Sequence, residues 1–319
     1  IYDESLKKSL TNFFSFNNSE ITKQTAKIFI LYSSLTFFIF ITLNLFDVRT
    51  FNSFNLAMTI ISSGGFLPVN DFSMILNSDI KKLVFSFLML ISYFSIFFIY
   101  NLLFIKKKNK DFFYEDYHLA FYLIILVSVF FIFFSFDNNF VDIFFIISSS
   151  ISNIGFSTDK SQIHLTFIYL ILVIIGGSFF STSSGLRFIK IYTLFKFSLN
   201  QMLSFSKPRN IFMSKLAFSN INFNIQVINK YFLSIIIFII SLFSLTILLS
   251  FFEINLEQGF KLSVLTLMNT VNSSAYGLAE FDFHNLHFLG KYCLILFMII
   301  GRIELLTILL ILKKYLFKR

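Results

Sequence analysis

Apolar residues fill six stretches of the chain, each long enough to cross a bilayer: about 27–46, 82–105, 118–136, 162–178 running on to about 197, 230–252 and 288–312. A crossing helix needs roughly 20 such residues. Between alternate pairs lie shorter apolar stretches, about 52–61, 140–151 and 258–271, too short to cross. They predict re-entrant half-helices. Each is followed by a short segment bearing glycine and hydroxyl residues, then by another long span. The order span, half-helix, glycine segment, span therefore occurs three times. It predicts an all-α polytopic membrane protein of span–pore half-helix–span repeats, with units over residues 25–110, 111–229 and 230–319 behind a polar segment over residues 1–24.

Charge placement gives the units a sidedness. Lys106, Lys107, Lys108 and Lys110 follow the second span. Lys190, Lys196, Lys207, Arg209, Lys215 and Lys230 lie between the fourth and fifth, and Lys313, Lys314, Lys318 and Arg319 close the chain. All fall on one side if each half-helix returns to the side it entered, and that side is expected to be cytoplasmic. The other side carries Asp47, Asp71, Asp79, Asp137, Asp159, Glu280 and Asp282, with Arg49, Lys81, Lys82, Lys160, Lys261 and Lys291 as exceptions near span ends. An acidic outer rim raises the local cation concentration, or is simply solvated.

Composition narrows the function. The chain is 56% hydrophobic and 13% charged, against about 25% charged in soluble domains. The net charge of +9 is explained by the cytoplasmic bias of Lys and Arg, so no nucleic-acid partner is implied. The 51 phenylalanines lie within apolar spans and read as lipid contacts and core, not base stacking. A single cysteine, Cys293, rules out a disulfide framework, and the four histidines lack metal-ligand spacing. His118, His164, His284 and His287 read as interfacial anchors. No nucleophile–base pair is apparent, only Arg302 and Glu304 read as deeply placed titratable groups, and no enzyme activity is expected.

The chemistry lies in the glycine segments. They read Ser62, Ser63, Gly64, Gly65, Phe66; then Asn153, Ile154, Gly155, Phe156, Ser157; then Ser273, Ser274, Ala275, Tyr276, Gly277. Irregular backbone at membrane depth survives only inside protein or along a water-filled path. A half-helix ending at such a segment points the negative end of its dipole there, and the following carbonyls can replace the hydration shell of a cation. A second small-residue run, Gly176, Gly177, Ser178, Phe179, Phe180, Ser181, Thr182, Ser183, Ser184, Gly185, interrupts one long span. It reads as an intramembrane loop, or else as a close-packed helix crossing. Arg302, mid-span, costs roughly 2.5–3.5 kcal/mol to insert unless a partner or water accommodates it.

These segments resemble the filters of the Trk/Ktr/HKT superfamily of cation transporters, and most closely its bacterial TrkH/TrkG potassium-uptake branch. Residues 58–66 are similar to the family's second filter, 152–158 to its third and 272–280 to its fourth. The run Gly301, Arg302, Ile303, Glu304, Leu305, Leu306, Thr307 matches the family's Gly-Arg-x-Glu-x-x-Thr pattern. The resemblance implies potassium as substrate, no cofactor in this chain, and a gate formed by loop 176–185 and Arg302, with Gly301 and Glu304 in support. It also implies a homodimer in the cytoplasmic (inner) membrane with its C-terminus cytoplasmic, and a TrkA-like cytosolic nucleotide-binding regulatory partner. The family has four repeats and this chain shows three, so a longer protein starting before Ile1 is expected. Ala275 replaces a family glycine, Phe179 and Phe180 replace small residues, and Ser183 and Ser184 replace mostly glycine. A sodium-permeable or poorly selective transporter and a non-conducting remnant are the alternatives.

Overall fold

The computed structural model describes residues 21–69, 72, 75–103, 114–134, 139–157, 166–205, 225–270, 276–278 and 281–303. Among them every regular element is a helix. In chain order these are α1 (Ile21–Leu45), α2 (Thr50–Ser62), α3 (Asp79–Tyr93), α4 (Ile96–Leu103), α5 (Tyr114–Phe134), α6 (Phe140–Ile151), α7 (Thr166–Ile175), α8 (Phe188–Phe205), α9 (Ile225–Ser250), α10 (Leu256–Leu267) and α11 (Phe288–Ile303). Windows in α1, α5 and α9 are each long and apolar enough to cross a membrane.

The half-helices fall where the short apolar stretches predict. Helix α6 covers the expected 140–151, while α2 and α10 start slightly ahead of their stretches. Within a repeat, the half-helix packs between its two spans: α2 against α1 and α3, α6 against α5 and α7, α10 against α9 and α11. Between repeats, the outgoing span packs against the next half-helix, α3 on α6 and α7 on α10, and α8 closes on α9. Polar residues are tolerated inside spans because their hydroxyls turn back to the helix. Ser34, Thr36 and Thr42 donate to the carbonyls of Leu31, Tyr32 and Ile39 at 2.9, 2.8 and 2.8 Å.

The core between the first two repeats is aromatic. Phe72, Phe85, Phe145 and Phe156 are all buried, with ring centroids 4.8–6.2 Å apart. That is the range in which tilted and edge contacts are favourable. Phe156 belongs to a predicted pore segment, yet its ring anchors that segment to the core.

One expected span is broken. The apolar pattern runs without interruption over about 82–105, but the helix stops at Tyr93 and restarts at Ile96. No glycine or proline marks the place, and its cause lies in another part of the chain, described below.

Of the lysines that depart from the charge pattern, Lys160 lies outside the described residues, and Lys81, Lys82, Lys261 and Lys291 have partners. Lys82 Nζ lies 2.7 Å from Asp142 Oδ1, linking the first turn of α3 to that of α6. Lys81 donates to the carbonyl of Asp47 at 3.4 Å, and Lys291 to that of His284 at 2.9 Å. Lys261 meets Glu257 at 2.6 Å, and this hydrogen bond holds the exposed Glu257 carboxyl below the usual carboxylate range. Two of the histidines are stacked, His118 on Tyr192 and His287 on Phe252. His164 lies outside the described residues. No metal-ligating cluster occurs among the described residues.

The Asp142 side chain is only 7% exposed and that of Lys82 18%, so losing one partner strands a desolvated charge. Asp142→Leu and Lys82→Met should each destabilise the detergent-solubilised protein by about 3 kcal/mol, and the double substitution by clearly less. Thermal unfolding of the three variants checks this; additive losses would contradict it.

Candidate functional site

The three half-helices end in one repeated turn. After α2, Ser63 N–H donates to Ile60 O and Gly64 N–H to Thr59 O. After α6, Asn153 donates to Ser150 O and Ile154 to Ser149 O. After α10, Asn269 donates to Thr266 O and Thr270 to Leu265 O. The turning residues Ser63, Asn153 and Asn269 have φ of 52°, 60° and 54°, the left-handed region that asparagine tolerates better than most residues. Two residues later stand Gly65 and Gly155, with φ of 71° and 81°; at the same count the third repeat has Val271. In sequence, Asp47, Asp137 and Glu253 stand equally far ahead of the three turns.

This register bears on the expected segments. Gly65, rather than Gly64, is the counterpart of Gly155. In the last repeat the turn opens at Asn269, one helical turn before the motif-based segment 273–277. Ser273, Ser274 and Ala275 lie outside the described residues. Tyr276 is buried and Gly277 exposed, the latter at φ 72° with Lys261 Nζ nearby.

Hydroxyls that the sequence reading passed over pin two of the segments. Thr59 Oγ1 donates to Phe66 O at 3.0 Å and Ser149 Oγ to Phe156 O at 2.7 Å. Each closes a loop from the last turn of a half-helix to the end of its glycine segment. The corresponding position in α10 is Leu265, which has no hydroxyl. Phe66 is 63% exposed whereas Phe156 is fully buried.

Two side chains tie the turns of different repeats together. Asn153 Nδ2 donates to Val173 O at 3.1 Å and to Met268 O at 3.4 Å, joining its turn to the end of α7 and to the end of α10. Arg302 Nη1 donates to Ser184 Oγ at 3.0 Å and Nη2 to Ser62 O at 3.3 Å. The guanidinium therefore bridges the last repeat, the intramembrane loop and the C-terminal end of α2. Ser184, a departure from the family pattern, is the hydroxyl that receives it. Arg302 is exposed, and it contacts a carbonyl at the negative end of a half-helix dipole, where a free cation would also be favoured. Glu304 lies outside the described residues.

The loop over 176–187 is irregular, as its small residues predict, and it is built into the break in the second span. Ser178 N–H donates to Tyr93 O at 3.1 Å, Ser183 N–H to Ser92 O at 3.1 Å, and Thr182 Oγ1 to Ser92 O at 3.4 Å. In return Ile96 N–H donates to Phe180 O at 3.3 Å. Carbonyls freed where α3 ends and an N–H freed where α4 begins are thus answered by the loop. Arg187, at φ 61°, wraps it from below, with Nη1 donating to the carbonyls of Ser178, Ser181 and Ser183 and to Ser181 Oγ at 3.0–3.2 Å. Gly176 and Gly185, at φ 66° and 101°, lie back to back, and a Cβ on either would strike the other's backbone. A Cβ on Gly177 would strike the carbonyl of Tyr93.

The sequence reading also passed over two acids in the first turn of α5. Glu115 Oε1 accepts from Phe179 N–H at 3.0 Å, and Asp116 Oδ1 accepts from Ser95 N–H at 2.9 Å. Asp116 is 4% exposed. Titratable groups inside the packed helices therefore include Glu115 and Asp116, a pair of acids opening an apolar span that was visible in the sequence.

A helical protein with several apolar spans and re-entrant half-helices is a polytopic membrane protein. The family model described as TrkH, cation transport protein, matches residues 135–317, more than half of the chain. The crystal structure of the potassium transporter TrkH from Vibrio parahaemolyticus superposes with a TM-score of 0.78 at 19% identity, over 92% of this chain and 64% of that one. No curated protein matches the sequence. The chain belongs to the TrkH cation transport family, a family of transporters and not of enzymes.

Gly301, the neighbour of Arg302 in the chain, packs against the end of α10. Its Cα faces the end of α10, and a Cβ there would collide with the carbonyl of Leu267. Gly301→Ala should push α11 off α10 and cost more than about 2 kcal/mol. Gly290→Ala, whose Cβ would meet only side-chain atoms at 3.3–3.4 Å, should cost less. Thermal midpoints of the two variants check this order; equal effects would contradict it.

Proposed function

We propose that the protein takes up potassium across the cytoplasmic membrane through a filter made of main-chain carbonyls. The observation that carries this reading is the gathering of three half-helix ends. Asn153 joins the second to the third, and Arg302 joins the first to the last span. Each end turns through one shared geometry that leaves the carbonyls after it free of helical partners. Residues 63–65 and 153–155 then supply ion ligands, with the segment after Asn269 supplying a further set. Inward movement of the cation is driven by the membrane potential, worth roughly 2.3 kcal/mol per charge per 100 mV. Loop 176–187 and Arg302 form the gate below, the guanidinium holding by hydrogen bonds a place that an ion must cross. The family resemblance supports a homodimer in the inner membrane with a cytoplasmic C-terminus, and a nucleotide-binding regulatory ring contacting basic segments 186–215 and 313–319.

Expression in a potassium-uptake-deficient cell tests this reading: growth on low potassium is the expected result, and no growth with protein present in the membrane would contradict it. In the same cells Arg302→Ala should raise the uptake rate several-fold with unchanged ion preference. An unchanged rate would remove Arg302 from the gate.

A sodium-permeable reading is favoured by one feature. The last repeat has neither the pinning hydroxyl nor, at the count set by its turn, the glycine. If residue 271 occupies that slot, Val271→Gly should shift the reversal potential in mixed potassium and sodium toward potassium, and Ala275→Gly should not. The opposite result would restore Ala275 to the filter.

A further inference from the structure

The first turn of α5 does nothing that cation passage itself requires, yet it holds both sides of the broken span. Glu115 takes the N–H of Phe179 inside the loop, and Asp116 takes the N–H of Ser95 inside the break. Adjacent residues on one helical turn thus fix the two irregular segments whose backbones also answer each other through Tyr93, Ser92 and Phe180. Each bond gives a partner inside the protein to a main-chain N–H that irregular backbone has freed, and such a group is costly to leave unpaired. The bond to Phe179 ties the loop to α5, and Asp116 meets the loop as well, through the Ser178 hydroxyl. Further contacts around the loop come from Arg187, on the same stretch of chain, from the helix ends it replaces, and from Arg302.

We propose that Glu115 is a positioning residue for the intramembrane loop: its bond to Phe179 holds the loop in the break between α3 and α4, and displacement of the first turn of α5 releases it. The path to the gate then runs through the start of α5, which follows the lysine run 106–110 in sequence, as well as through α8, which continues directly from the loop. A partner that moves the α4–α5 connection moves Phe179 with it. This rests on the reading of the loop as a gate, and its test is chosen to be independent of flux.

The test places a reporter thiol in the loop, Phe179→Cys in a Cys293→Ser background, and measures its rate of modification by a water-soluble maleimide in membrane vesicles. The N–H that Glu115 receives is retained by this substitution. Glu115→Asp keeps the charge and loses the reach; Glu115→Gln keeps the reach, since its amide carbonyl still accepts, and loses the charge. Glu115→Asp should raise the modification rate about tenfold, as expected when one buried hydrogen bond is lost, and Glu115→Gln should leave it within about threefold of the parent. An unchanged rate in Glu115→Asp would overturn the proposal. So would an equal rise in both variants, which would show that any change at this position, and not loss of the bond, loosens the loop. Absence of potassium uptake in the parent would count against the transport reading alone, because the thiol rate does not depend on it.

Discussion

Everything in this fold answers to the cost of an unpaired backbone group away from water. A helix that stops inside a membrane leaves carbonyls at its end that nothing in lipid can satisfy. The chain stops helices at such depth repeatedly: at the ends of α2, α6 and α10, at Tyr93, and at Ile175. It resolves them in two different ways. The breaks at Tyr93 and Ile175 are brought together, so that the ends of α3 and α4 and the loop satisfy each other. The half-helix ends each close their own final turn, and the proposed reading gives the carbonyls after the turns at Ser63 and Asn153 to an ion or water.

That division separates structure from function. Where both partners are protein, the result is a fixed joint, reinforced by Arg187, Glu115 and Asp116. Where no protein partner stands, the proposed reading assigns the carbonyls to an ion. Arg302 stands between these cases. Its guanidinium takes the Ser62 carbonyl as a cation would and the Ser184 hydroxyl as a structural donor would. On the proposed reading, a group that takes one of these carbonyls while anchoring the loop links occupancy of the path to the position of the gate.

Much of this was legible from the chain. Length alone separates half-helix from span, because a stretch like Phe140–Ile151 is too short to cross a bilayer. Asparagine at 153 and glycine at 155 mark a left-handed turn. The loop was marked by its glycines, whose close approach at Gly176 and Gly185 admits no side chain. The break after Tyr93 was hidden, since Ser92 and Ser95 are ordinary in a span and the hydrogen bonds that make the break favourable come from residues some ninety positions later. The pins from Thr59 and Ser149 were hidden for a related reason: a hydroxyl in a membrane helix usually bonds its own turn. In the last repeat the turn at Asn269 comes well before Gly277, and it is the repeated hydrogen-bond pattern that aligns this turn with the other two.

The most direct test of the central claim is to locate the ion. A crystal of the protein grown in rubidium or thallium, with data collected at the metal's absorption edge, should show an anomalous peak bounded by the main-chain oxygens of residues 63–65 and 153–155. A peak elsewhere, or none beside those carbonyls in a crystal that otherwise binds the metal, would contradict the account.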